Sequence, residues 1–185
     1  MIGPDRTEGY AIVSADGMIA DAFGDQPDVL RIEADQKFFH AGLTQADAVA
    51  HGRNSNEGGP NAPHRRRLIL TRSVAGVAPD PQNPQALLWN PAGAPLKQAW
   101  HALGLSGGIL AVIGGTDVFG HFLELGYDIF HLTQAPNVRL PGGRPLFPGV
   151  PARAPQDLLS NQGLKYAPAR ILDVTSGAAL VTWRR

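Results

Sequence analysis

Short apolar runs, each closed by glycine or a polar turn, alternate along this chain with stretches of helical spacing. The run at 10–14 (YAIVS), set between Gly9 and Asp16-Gly17, reads as a buried strand. Residues 28–43 carry Val29, Leu30, Ile32, Phe38, Phe39 and Leu43 at spacings that predict a helix starting near Glu33. A second strand is predicted at 46–51 (ADAVAH), running into Gly52, and a loop at 54–64 (NSNEGGPNAPH). Strands follow at 68–71 (LILT) and 86–89 (ALLW), then a helix over 96–105 that ends at Gly107-Gly108. The strand at 109–113 (ILAVI) meets Gly114 and Gly115 at once, and a helix over 117–125 stops at Gly126. A strand at 128–133 (DIFHLT) leads into a long Pro/Gly loop at 136–154. The chain closes with a hairpin of 165–174 and 178–185 around Thr175, Ser176 and Gly177.

Strands alternating with helices imply an α/β sheet covered on both faces, and the terminal hairpin adds an antiparallel edge. A length of 185 residues suits one domain spanning 1–185 with a full hydrophobic core. With 22 glycines and 16 prolines, the elements should be separated by many turns and several long loops. Lys+Arg and Asp+Glu both number 16, which argues against nucleic acid or an anionic lipid surface as partner. The chain has no cysteine, so a disulfide scaffold, a thiolate metal site and a cysteine nucleophile are all excluded. Its longest apolar run, 109–113, falls far short of the ~20 residues of a spanning helix. The first residues have acids and no sustained apolar core, so no signal peptide is expected, and a cytoplasmic protein is. The six histidines form no HxH, HxxxH or HExxH pattern, so no metal site is expected.

The candidate chemistry sits at strand ends. In ILAVIGGTDVF a strand ends in two glycines and a helix begins directly after them. Glycines let a bulky group approach the backbone, and a new helix offers unpaired N–H groups that suit a pyrophosphate. A plain tight turn would use the same residues, and GGTDVF is not the GxGxxG fingerprint. A second corner is Gly52, Arg53, Asn54 and Ser55, where Arg53 can grip a phosphate in two-pronged fashion and Ser55 can cap a short helix. A third is Thr71, Arg72 and Ser73, a cation and two hydroxyls at a strand tip. Two basic strand ends near one glycine corner suit a ligand with several phosphates, such as NADPH.

Taken in order, these pieces resemble the dihydrofolate reductase superfamily, which includes the reductase domain of bacterial riboflavin biosynthesis. The matching motifs are S-x-D-G-x-I-A (Ser14, Asp16, Gly17, Ile19, Ala20), G-R-x-S-x-E (Gly52, Arg53, Ser55, Glu57), L-T-R-S, V-I-G-G and GYDIFHLTQAP…GGRPLFP. They cover roughly residues 9–150. The resemblance implies a mixed, mostly parallel central sheet flanked by helices, with a C-terminal antiparallel hairpin. It implies NADPH lying across the strand ends. Ala11 and Ile12 would face the nicotinamide carboxamide, and Asp16, Gly17, Met18 and Ile19 would sit on a mobile loop closing over it. Gly52, Arg53, Asn54 and Ser55 would bind phosphate at a helix start. Thr71, Arg72 and Ser73 would hold the adenosine end and its 2′-phosphate. Ile113, Gly114, Gly115, Thr116, Asp117 and Val118 would cradle the pyrophosphate.

On the substrate side, the same resemblance implies a pterin- or pyrimidine-type heterocycle. Asp35 on the first helix would be the carboxylate that orients it, with Thr133 as its hydroxyl partner. Phe39, four residues on and so on the same helix face, would pack on the ring. Arg65, or Arg66 beside it, would anchor a substrate tail. The chain departs from the folate-type pattern in a longer loop between Gly17 and Asp35, in the lack of a tryptophan there, and in Gln36. Its S-x-D-G-x-I-A motif is closer to the riboflavin-type branch. That branch is commonly a homodimer through an edge strand, which the C-terminal hairpin with Trp183 would suit.

Overall fold

A nine-residue strand, β1 (Arg6–Ser14), forms the centre of the molecule. The structure is a computed structural model that describes residues 1–55 and 57–185. The chain continues through β2 (Met18–Ala20), α1 (Glu33–Gln45), β3 (Ala48–Gly52), β4 (Arg67–Leu70), β5 (Val77–Pro79) and β6 (Ala86–Trp89). It then forms α2 (Leu96–Ala102), β7 (Ile109–Gly114), α3 (Thr116–Leu125), β8 (Ile129–Ala135) and β9 (Arg144–Pro145). The last elements are α4 (Pro155–Asn161), β10 (Lys165–Tyr166), β11 (Arg170–Asp173) and β12 (Ala178–Arg184). Short 3₁₀ turns occur at Asp28–Leu30 and Ala62–His64.

Ten strands form one sheet in the order β10-β12-β8-β1-β7-β3-β4-β6-β5, with β11 also paired to β12. From β8 to β6 every neighbouring pair is parallel. The edges are antiparallel, β12 against β8 and β5 against β6. The sheet is therefore mixed and mostly parallel, with the C-terminal hairpin antiparallel, as the resemblance implied.

The strands of the middle are buried on both faces, which is why their sequences read as continuous apolar runs. Leu110 and Val112 of β7 point to the side covered by α3, where Val118, Phe119, Phe122 and Leu123 are buried. Trp100 of α2 and Leu158 and Leu159 of α4 complete that core. Ala111 of β7 faces the other side, with Tyr10, Val49 and Leu43 beneath α1. Each fully buried side chain of this size contributes about 1.5–3 kcal/mol. Gly42 allows α1 to lie close, because a Cβ there would meet the Tyr10 ring 2.6 Å away.

Three expectations need correction. β1 begins at Arg6, not Tyr10, because the polar Thr7 and Glu8 are themselves buried and paired. Thr7 N–H donates to Asp128 Oδ2 at 2.8 Å, and Glu8 accepts from the Tyr10 hydroxyl at 2.6 Å. No helix starts at Ser55: residues 52–55 form a turn closed by Ser55 N–H on the Gly52 carbonyl at 3.3 Å. Gly58 and Gly59, both with positive φ, and then Pro60 oppose a helix, and the next helical residues are Ala62–His64. Asn56, inside the expected 54–64 loop, lies outside the described residues. The Pro/Gly loop after β8 contains β9, which pairs with β2, and it ends where α4 begins.

Candidate functional site

The carboxyl ends of β8, β1, β7, β3 and β4 open into one cleft of about 1240 Å³. This is where an open α/β sheet presents a ligand site. At the α1 end it is lined by Asp35, Phe38, Phe39, His131 and Thr133, and further along by Ile113, Gly114, Gly115, Gly52, Thr71 and Arg72.

Asp35 is 8 % exposed, on the first turn of α1. Burial pushes its carboxyl above the usual range, and the hydrogen-bonded Thr133 hydroxyl opposes that shift. Thr133 is 1 % exposed and pairs with Ile12 across β1 and β8. Among the described residues no cation forms an ion pair with Asp35. A buried carboxylate open to a cleft and lacking a counter-charge can accept hydrogen bonds from two adjacent donors of a ligand.

The glycine corner is built for a close approach. Gly114 has φ +123, a conformation that L side chains rarely adopt, and Gly115 is the N-cap of α3 with no side-chain cap. The first N–H groups of α3 lack intrahelical acceptors, as in any α-helix. The Thr116 hydroxyl donates to the Pro145 carbonyl at 2.5 Å, tying α3 to β9. Across the cleft, Arg53 Nη1 donates to Ser73 Oγ at 3.4 Å, and Thr71 Oγ1 donates to the same oxygen at 3.0 Å. At this end His121 Nε2 is a buried nitrogen with no hydrogen-bond partner among the described residues. Open glycine backbone, a helix N-terminus, two arginines and an orphaned ring nitrogen fit a phosphorylated nucleotide.

Of the residues read from the sequence, the cleft brings together Ala11, Ile12, Ile19, Asp35, Phe39, Gly52, Arg53, Asn54, Ser55, Thr71, Arg72, Ile113, Gly114, Gly115, Thr116, Asp117, Val118 and Thr133. Asp16 and Gly17 do not line it. Asp16 accepts from the Ser14 hydroxyl at 2.5 Å and from Leu140 N–H at 3.0 Å, and the Gly17 carbonyl accepts from Leu146 N–H at 3.0 Å. They brace the loop after β1 against the segment after β8. Ser73 stands behind Arg53 and Thr71. Arg65 is turned away: its side chain is 10 % exposed and ion-paired with Glu57 at 3.3 Å.

Tyr10, Phe23, His121, His131 and Arg144 line the cleft without having been singled out. Phe23 is 88 % exposed, on a tip where Asp21 Oδ1 accepts from the N–H groups of Phe23 and Asp25. A bulky apolar residue in a polar loop was the only sequence signal for it.

Beneath the cleft lies Glu8, 6 % exposed. Arg6 Nε lies at 2.6 Å and His131 Nε2 at 3.6 Å. Burial alone would raise the Glu8 carboxyl, but the His131 and Tyr10 side chains and the Arg6 charge outweigh it and hold the pKa at about 2. A depressed carboxylate stabilises the fold above its unfolded pKa and loses that contribution as pH falls through its folded value. Glu8 should therefore add about 2 kcal/mol at neutral pH, allowing for screening at the half-exposed Arg6, and lose it between about pH 4.5 and pH 2. Urea midpoints of wild type and Glu8→Gln should differ at pH 7 and converge toward pH 2. Parallel curves over that range would contradict this role.

The chain matches no protein-family model and no curated protein. Solved structures do match. A protein from Shewanella sp. PV-4 named for riboflavin biosynthesis aligns at TM-score 0.66 and 20% identity, covering 97% of this chain and 98% of that one. Dihydrofolate reductase from Enterococcus faecalis, complexed with NADP(H), aligns at 0.64 and 17%, covering 100% and 99%. A diaminohydroxyphosphoribosylaminopyrimidine deaminase/5-amino-6-(5-phosphoribosylamino)uracil reductase from Thermotoga maritima aligns at 0.64 and 19%, covering 98% of this chain and 56% of that one. Agreement over 97–100% of the chain establishes that it has the dihydrofolate reductase-like fold.

Proposed function

We propose that the chain is an NADPH-dependent reductase acting on a flat aminopyrimidinone heterocycle, a pterin or a pyrimidine. The observation that carries this reading is Asp35: a buried carboxylate hydrogen-bonded to Thr133, with no ion-pair partner among the described residues, in a cleft that also holds a glycine-rich helix start. When bound, NADPH supplies the hydride that reduces a C=N or C=O carbon of the ring. Gly114, Gly115 and the start of α3 would hold its pyrophosphate, with Gly52, Arg53, Asn54 and Ser55 on a second phosphate. Arg72, with Thr71 and Ser73, would take the 2′-phosphate, and Ala11 and Ile12 the nicotinamide. Asp35 accepts from the ring N–H and its neighbouring amino group, which relieves the cost of burying the carboxylate and favours the protonated ring. Phe38 and Phe39 pack on the ring and exclude water.

The first test is thermal shift. Saturation with NADPH at about 100 times its dissociation constant should stabilise the fold by about 2.7 kcal/mol, a rise of roughly 5–10 °C, with a smaller rise for NADH. NADPH consumption is then followed with dihydrofolate and with an aminopyrimidinone. Binding without turnover on either would make the chain a nucleotide-binding module. No shift with either nucleotide would leave the glycine corner a plain turn.

A further inference from the structure

Behind the 52–55 turn, touching the cleft wall at Glu57, sits a polar network that the proposed reaction does not use. Glu57 has a fully buried side chain and is held by both Arg65 and Arg67. The Arg67 fork donates to both Glu57 oxygens, with Oε2 at 2.6 Å, and also to the Ala62 carbonyl at 2.6 Å. Its Nη1 lies 3.1 Å from Nε2 of His51, which is 5 % exposed. Arginine can only donate, so His51 Nε2 accepts and Nδ1 carries the ring proton. That Nδ1–H points at the Gly52 carbonyl, 2.7 Å away. The same carbonyl accepts the Ser55 N–H that closes the turn. A run of oriented, partly charge-assisted bonds thus leads from a buried carboxylate to the acceptor that shapes the turn.

We propose that Glu57, Arg67 and His51 form a positioning relay that holds the 52–55 turn in the shape that receives a phosphate of the bound nucleotide. This rests on the nucleotide reading above. A buried ion pair is often no more stabilising than apolar residues of equal volume, so stability alone does not account for the network. Its geometry does: Arg67 fixes which His51 nitrogen is protonated, and that proton fixes Gly52. Burial, and after it the Arg67 charge, lowers the His51 pKa, which keeps the ring in the neutral form that this arrangement requires. None of the three touches the reacting atoms.

The test is NADPH binding by wild type, His51→Leu and His51→Asn, each with a check of folding by circular dichroism. The leucine removes both bonds. The asparagine keeps an N–H for the Gly52 carbonyl. The expected result is a Kd about three- to tenfold weaker for the leucine variant, largely restored by asparagine, with kcat at saturating cofactor unchanged. If the leucine variant does not fold, Arg67→Lys, which keeps the charge and loses the fork, should show the same weakening. Wild type that binds, with the folded variants binding equally well, overturns the relay alone. Wild type that binds neither NADPH nor NADH overturns the nucleotide reading and the relay with it.

Discussion

Asp35→Asn should reduce turnover by about 100- to 1000-fold while leaving the NADPH-induced thermal shift intact. Asparagine keeps the volume and one acceptor oxygen, so α1 and its contact with Thr133 persist. What disappears is the negative charge and the second acceptor, and with them the two charge-assisted bonds to a protonated ring. The loss concerns the reacting state, so it should fall on kcat as well as KM. The pH profile gives an independent readout. Burial raises the Asp35 pKa above the usual carboxylate range, so wild-type activity should fall on the acid side as the carboxylate takes up a proton. The asparagine variant cannot titrate there, and its residual activity should lack that limb. Unchanged turnover, or an acid limb that survives the substitution, would remove Asp35 from the role assigned to it.

The parts of the molecule that could be read from sequence share a physical reason. The strand at 109–113 and β6 are apolar because both faces are buried, so composition alone marks them. The glycines after β7 stand out because a strand rarely ends in two residues without side chains. The hidden parts depend on partners far along the chain. The first half of β1 reads as polar, and contacts with Asp128, Arg6, His131 and Tyr10 make Thr7 and Glu8 tolerable inside. α4 directly follows a stretch dominated by proline and glycine, and its own Pro155 suits the first turn of a helix, with Leu158 and Leu159 buried. The inward face of the cleft behaves the same way. Tyr10 and His131 are paired residues on β1 and β8 and were unremarkable until the sheet set their rings 4.7 Å apart. Arg65 is instructive. Its position before β4 suited a ligand contact, but Glu57, eight residues earlier, reaches it first.

Arg67→Met should be the most damaging single change away from the cleft, lowering stability by about 3 kcal/mol. Methionine keeps the length and the apolar stem of the side chain. It deletes the fork that meets both Glu57 oxygens, the bond to the Ala62 carbonyl and the donor to His51. Glu57 would then be a fully buried carboxylate left with Arg65 at 3.3 Å in a single-pronged contact. Arg67 is also what holds the Glu57 pKa down against the opposing effect of burial. Losing it should let Glu57 protonate at a higher pH, so the variant's deficit should narrow as the medium is acidified. A loss of this size corresponds to a fall in Tm of roughly 6–12 °C for a chain of this length. The double variant Arg67→Met/Glu57→Gln should cost clearly less than the two single changes added together, because the orphaned charge is gone. Additive losses, or a single variant within about 0.5 kcal/mol of wild type, would mean that the buried pair does not contribute to stability.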